Sequence, residues 1–161
     1  PGLCPRDGCL QLRTVFCGQL PALTRSAMYE RDVVFPAGRQ ALYEKNRYSP
    51  AIRHNGLLFV SGQVGALADG SVVAEPAAQI AQAFDNLNAV LEAAGCRFAD
   101  VIDVTLYVVD PQSHLEVIGQ VMARYWGPAP YPCLTAVGVT WLSGFLFEIK
   151  VTARLPDTVS S

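Results

Sequence analysis

From Ile52 onward the chain shifts between two hydrophobic periods. Ile52-Arg53-His54 runs into a tight turn at Asn55-Gly56, and Leu57 to Ser61 reads as a strand on its far side. Asp69-Gly70 marks another turn before Ser71-Val72-Val73. The period then lengthens. Ile80, Phe84, Leu87, Val90, Leu91 and Ala94 fall on one stripe of a helix. Pro76 suits its first position and Gly95 the position just past its end. Gln79, Gln82, Asn86 and Glu92 fall off the stripe and are expected to face water.

Ile102, Val104, Leu106 and Val108 alternate with Asp103, Thr105 and Tyr107, which predicts a strand with one buried face, closed by Asp110-Pro111. Ser113-His114-Leu115-Glu116 has the form of a capping box and opens a second helix. Leu115, Ile118, Val121, Met122 and Tyr125 make its apolar face, and Gly127, Pro128 and Pro130 stop it. Thr135 to Leu142 and Phe145 to Arg154 alternate again, joined by a turn at Ser143-Gly144. The last strand sets Phe147, Ile149, Val151 and Ala153 against Glu148, Lys150 and Thr152. The order strand, strand, helix, strand, helix, strand, strand predicts an α+β domain. Two helices cover one face of such a sheet, and the other face needs a partner.

Composition adds to this picture. Charged residues make up 16% of the 161-residue chain, against about 25% in a typical soluble domain. A deficit of charge suggests surface hidden in an oligomer. The net charge of -2 gives no electrostatic reason to bind nucleic acid or an anionic membrane. No apolar run approaches the roughly 20 residues that span a bilayer. Cys4, Cys9, Cys17, Cys96 and Cys133 are odd in number and include no C-x-x-C pair. His54 and His114 stand at no zinc spacing from them, so reduced thiols and a cytoplasmic location are expected. No phosphate loop, dinucleotide fingerprint or metal motif is present, and no cofactor is expected. Residues 1–27 hold no period, broken by Pro1, Gly2, Pro5, Gly8, Gly18 and Pro21, and are expected to be a non-domain extension.

Several blocks carry a resemblance. They are Tyr48-Ser49-Pro50-Ala51 continuing to Phe59-Val60-Ser61-Gly62-Gln63, then Phe84-Asp85-Asn86-Leu87, Glu92-Ala93-Ala94-Gly95, and Pro132 to Ile149. Together they closely resemble the RidA family (also called YjgF/YER057c/UK114), the reactive imine and enamine deaminases. Phe35-Pro36-Ala37-Gly38-Arg39, Tyr43 and Thr135 to Leu142 look like its YjgH-type branch. The resemblance implies a chorismate-mutase-like fold: a mixed, mainly antiparallel sheet with two helices packed on one face. It also implies a homotrimer with small-molecule sites in the clefts between subunits. The domain is expected over 28–156, with 157–161 a short tail.

Hydrolysis of an imine beside a carboxylate needs a cation for that carboxylate and a group that positions water. By resemblance, Glu148 matches the water-positioning glutamate, and Tyr48 and Ser61 match site positions. Leu134 stands for the carboxylate-binding arginine and Ile118 for an asparagine, with Cys133, Thr135 and Gln63 as neighbouring substrate-binding candidates. Losing one charge-assisted hydrogen bond forfeits about 1.5–3 kcal/mol, or roughly 10- to 150-fold in binding. Arg39, Arg47 and Arg53 are alternative cations, read first as solvated surface charges. Structural readings stand beside each role. Glu148 also fits a carboxylate paired with Lys150, Tyr48 an interface aromatic, and Ser61 a hydroxyl serving the Gly62 turn. Cys133 fits a small strand residue and Trp141 a core residue. The expected function is hydrolysis of reactive imines or enamines with an atypical substrate. The alternative is a non-catalytic trimer that binds a small metabolite.

Overall fold

A computed structural model describes residues 30–156. The expected extension 1–27 and tail 157–161 therefore lie outside the described residues. The elements are β1 (Asp32–Val34), α1 (Gln40–Asn46), β2 (Ala51–His54), β3 (Leu57–Val60), β4 (Gln63–Val64), α2 (Pro76–Ala93), β5 (Val101–Val109), α3 (Pro111–Tyr125), β6 (Cys133–Val139) and β7 (Phe147–Arg154). One sheet runs β1-β2-β3-β7-β5-β6, and the short β4 pairs with β7 beyond the end of β3. Only the β5–β6 pairing is parallel, with α3 as its crossover. The fold is α+β with a mixed, mainly antiparallel sheet, as the resemblance implied. Among the described residues it has three α-helices rather than two.

The core lies between the sheet and the helices α2 and α3. Leu58, Val60, Val104, Leu106, Val108, Phe147, Ile149 and Val151 are buried from the sheet, and Ile80, Phe84, Leu87, Val90, Ile118 and Val121 from the helices. Phe84 stacks on Tyr125 with ring centroids 4.7 Å apart and on Phe147 at 5.9 Å, which locks both helices to the centre of the sheet. The opposite face holds Phe59, Thr152, Lys150, Glu148, Thr105 and Tyr107, and neither α2 nor α3 covers it.

Four local expectations are corrected. Gln79 and Asn86 of α2 are buried, not wet. Gln79 Nε2 donates to the Val73 carbonyl (2.7 Å) and its Oε1 accepts the Leu146 N–H (2.8 Å). Asn86 Nδ2 donates to the carbonyls of Val64 (2.8 Å) and Ala66 (2.9 Å). These amides satisfy backbone groups at the end of β4 and in the segments before α2 and β7. In β5 a bulge between Val101 and Asp103 expels Ile102 to an exposed position, so Val101 takes the buried place expected of Ile102. Helix α3 starts at Pro111, before the proposed capping box. Its cap is Asp110 in the left-handed region, and Ser113 Oγ donates to Asp110 Oδ2 (2.6 Å) instead of capping. Strand β6 begins at Cys133 and ends at Val139, which leaves Trp141 in a loop.

Candidate functional site

The alternation of β7 buries Phe147 and Ile149 and turns Glu148 onto the face away from α2 and α3. There it stands opposite Val64 of β4 on one side and Tyr107 of β5 on the other. Ser61-Gly62, the break between β3 and β4, lies against it. A Cβ on Gly62 would overlap the Glu148 carboxylate. The backbone at Gly62 is not in the left-handed region, so the glycine is needed for space and not for conformation. Burial pushes the Glu148 carboxyl above the usual range, opposed by the positive charge of Lys150. No ion pair joins the two, since the one salt bridge among the described residues is Arg53–Asp32.

Tyr48 follows Arg47, whose left-handed backbone (φ 58°) ends α1. The Tyr48 ring meets Tyr43 edge-on, centroids 5.0 Å apart. Burial and the Glu148 charge raise the Tyr48 pKa, while Arg39 lowers it. Ser61 Oγ donates to the Ser49 carbonyl (2.7 Å), and the Ser61 N–H to that of Pro50 (2.9 Å). The Ser61 hydroxyl hydrogen is therefore committed, and its oxygen is left as an acceptor. Tyr48, Ser61, Gly62 and Glu148 line an open cavity of about 420 Å³ together with Trp141, Leu142 and Phe145. The three catalytic candidates thus meet at one place in one chain.

The substrate-binding candidates do not. Gln63 is buried behind the wall, where its Nε2 donates to the Ser61 carbonyl (2.9 Å) and its Oε1 accepts the Tyr43 hydroxyl (3.4 Å). It shapes the cavity without lining it. Ile118 is 2% exposed and belongs to the core, so it cannot contact a ligand. Leu134 pairs with Val104, whose side chain points to the helices. It lines a different cavity, of about 440 Å³, with Gly119, Met122, Trp126 and Tyr131. Strand parity sends Leu134 away from Glu148, and the residues of β6 on the Glu148 face are Cys133, Thr135 and Val137. Within one chain, Leu134 and Glu148 therefore lie on opposite faces of the sheet. Even Cys133, Thr135 and Val137 are distant from Glu148 in one chain, because β6 is two strands from β7, about 10 Å, and Cys133 and Thr135 lie further along it. Both are exposed.

None of the alternative arginines lines the cavity. Arg53 pairs with Asp32 (3.2 Å), Arg47 ends α1, and Arg39 donates to the Ala66 carbonyl (3.5 Å). Among the described residues no three His, Cys, Asp or Glu side chains gather where they could hold a metal ion, and no helix is long and apolar enough to cross a membrane. Trp141 is the residue that pattern reading misplaced. It is 72% exposed and lines the Glu148 cavity. Its position just before the Ser143-Gly144 turn was the available signal, because a residue next to a reversal often leaves the strand.

Comparison with known proteins agrees with this architecture. A family model described as Endoribonuclease L-PSP matches residues 38–155. RutC family protein YjgH of Escherichia coli is 55% identical over 130 residues, covering 81% of this chain and 99% of the relative. A solved structure of YjgH superposes with a TM-score of 0.76 over 80% of this chain and 98% of its own. RidA from an Antarctic Psychrobacter, 30% identical, gives a TM-score of 0.63 over 66% of this chain and 87% of its own. A 2-iminobutanoate/2-iminopropanoate deaminase of Dermatophagoides farinae is 32% identical over 97 residues, 59% of this chain and 74% of that enzyme. The family match over most of the described residues, the near-complete span of YjgH and the shared sheet place this chain in the RidA/YjgF family, in its YjgH-like branch.

Proposed function

We propose that this protein hydrolyses small reactive imines or enamines at the Glu148 cavity, releasing ammonia, and that its substrates lack the carboxylate taken by the deaminating relatives. The observation that carries this reading is the half-buried Glu148 carboxylate, seated on Gly62 and facing Tyr48 and Ser61. Ionised, it accepts a proton from water as the water oxygen bonds to the imine carbon and the C=N π pair moves to nitrogen. It returns that proton to nitrogen. The C–N bond of the carbinolamine then breaks, its hydroxyl proton passes to the leaving nitrogen, and a carbonyl and ammonia result. A carboxyl raised by burial suits this exchange near neutral pH. Tyr48, kept protonated, offers a donor to the developing nitrogen base. Among the described residues of one chain no Lys, Arg or His lines the cavity, so a charged carboxylate gains no ion pair from that wall and meets an added desolvation cost.

The cleft is completed, on this reading, by β6 of a neighbouring copy in a homotrimer, since Cys133 and Thr135 do not reach Glu148 within one chain. The test is ammonia release from aldimines generated in situ by an amine oxidase, and from 2-imino acids generated by an amino-acid oxidase. Acceleration over buffer is expected with aldimines and is lost in Glu148→Gln. No acceleration with either class overturns the reading. Saturable ligand binding without ammonia release would instead favour a metabolite-binding protein, which the committed Ser61 hydroxyl and the absence of a lining cation also suit.

A further inference from the structure

Trp141 is the most exposed large hydrophobic side chain among the described residues, yet it stands on a fixed support. Ser143 (φ 53°) and Gly144 (φ 90°) are both left-handed, and the Phe145 N–H donates to the Leu142 carbonyl (2.9 Å). That is a two-residue reversal of the primed type. The loop is tied down at its far end, where the Leu146 N–H donates to Gln79 Oε1 (2.8 Å) and its carbonyl accepts the Val109 N–H (2.9 Å). The Tyr48 ring has a support of its own. Tyr48 leans edge-on against Tyr43, which is buried and bonded to Gln63. Trp141, on a loop whose backbone is tied down, and Tyr48, held by Tyr43, thus both line the cavity that holds Ser61, Gly62 and Glu148.

We infer that Trp141 and Tyr48 form an aromatic clamp that selects uncharged imines bearing a planar aromatic group, with the C=N bond directed at Glu148. The inference rests on the imine-hydrolase reading for the chemistry but not for the binding. Exposed indole in a braced loop gives contact area at small entropic cost. An offset or edge-on aromatic pair adds to affinity beyond its buried area. With that area, roughly tenfold in affinity is expected. An aliphatic chain of similar length gains the area alone.

The probes are phenylacetamide and butyramide, stable uncharged analogues of the aromatic and aliphatic aldimines. Trp126 and Trp141 are the two tryptophans of the chain, and Trp126 does not line this cavity. In Trp126→Phe, therefore, only Trp141 reports. Its fluorescence is expected to respond saturably to phenylacetamide and little to butyramide. By calorimetry, Trp141→Leu should weaken phenylacetamide about tenfold, leave butyramide within about twofold, and be largely rescued by Trp141→Phe. Equal weakening of both amides, or a Trp141 that ignores phenylacetamide, overturns the clamp. So does dissociation of the oligomer in Trp141→Leu, which would assign the indole to a subunit contact. The two readings fail separately. Phenylacetamide bound at Trp141 with no ammonia from phenylacetaldimine overturns the hydrolase and supports the clamp. Equal turnover of phenylacetaldimine and butanaldimine overturns the clamp and leaves the hydrolase.

Discussion

A single hydrogen atom, the side chain of Gly62, decides where the Glu148 carboxylate stands. Gly62→Ala places a methyl group where the carboxylate now lies, but that carboxylate is the end of a flexible chain and can swing aside. The fold should survive with little change in melting temperature, while kcat/KM for aldimines falls about 10- to 100-fold from misplacement. Strand parity gives a sharper comparison. Cys133→Arg puts a cation on the Glu148 face, and Leu134→Arg puts it under α3. If the face shared with Glu148 is also the one a neighbour's β6 turns to the cleft, activity on 2-imino acids should rise in the first variant and not in the second; a rise in Leu134→Arg alone would show that a neighbour's Leu134 reaches the cleft. The raised Glu148 pKa has two consequences of defined sign. Its base form is lost at a higher pH than for an ordinary glutamate, so the acid limb of the rate profile shifts upward. The folded state also holds the proton more tightly than the unfolded state. Ionisation therefore costs stability as pH rises through the folded value, a cost softened by solvent because the group is only half buried. Glu148→Gln should melt no lower than the parent at pH ~8, well above that value, while losing activity.

At the scale of elements, the long periodic segments were legible and the short ones were not. Helix α2 announces itself through its apolar stripe between Pro76 and Gly95, and β7 through its alternation. Helix α1 has one buried side chain, Tyr43, and closes with Arg47 in a left-handed cap, so no stripe betrays it. Strand β4 has two residues, fewer than any period can mark. The bulge at Ile102 shifts the buried face at the start of β5 without any glycine or proline to signal it. The site divided in the same way. Glu148, Tyr48 and Ser61 were readable from motif blocks, but the faces of Cys133 and Leu134 required the β5–β6–β7 register. Gln79 and Asn86 were read as wet because sequence shows their polarity and hides the backbone groups they serve. Asn86→Leu leaves the Val64 and Ala66 carbonyls without that donor. Urea denaturation should show a loss of about 1–3 kcal/mol, with the Glu148 cavity disturbed through β4.

At the scale of the molecule, the groups proposed for one cleft lie in two places on the chain. If a neighbour's β6 completes the Glu148 cavity, two inactive variants should repair each other. Glu148→Gln spoils the cavity, and Thr135→Trp blocks β6. Unfolded together in equal amounts and refolded, they should regain about a quarter of wild-type activity, the random fraction of clefts with both sides intact. No recovery places the whole site within one subunit. Light scattering supplies the companion test, with a trimer mass expected at micromolar concentration.

The position of β7 has a further consequence, for the order in which the molecule can be made. It is the last of the described strands, yet it lies at the middle of the sheet, between β3 and β5. A nascent chain that has reached Leu146 carries the β1–β2–β3 meander and the β5–β6 pair as two half-sheets with no edge in common. The strand that joins them also delivers Glu148. Closing the sheet and delivering Glu148 to its face are therefore one late event, and it precedes any completion of the cleft by a neighbouring copy.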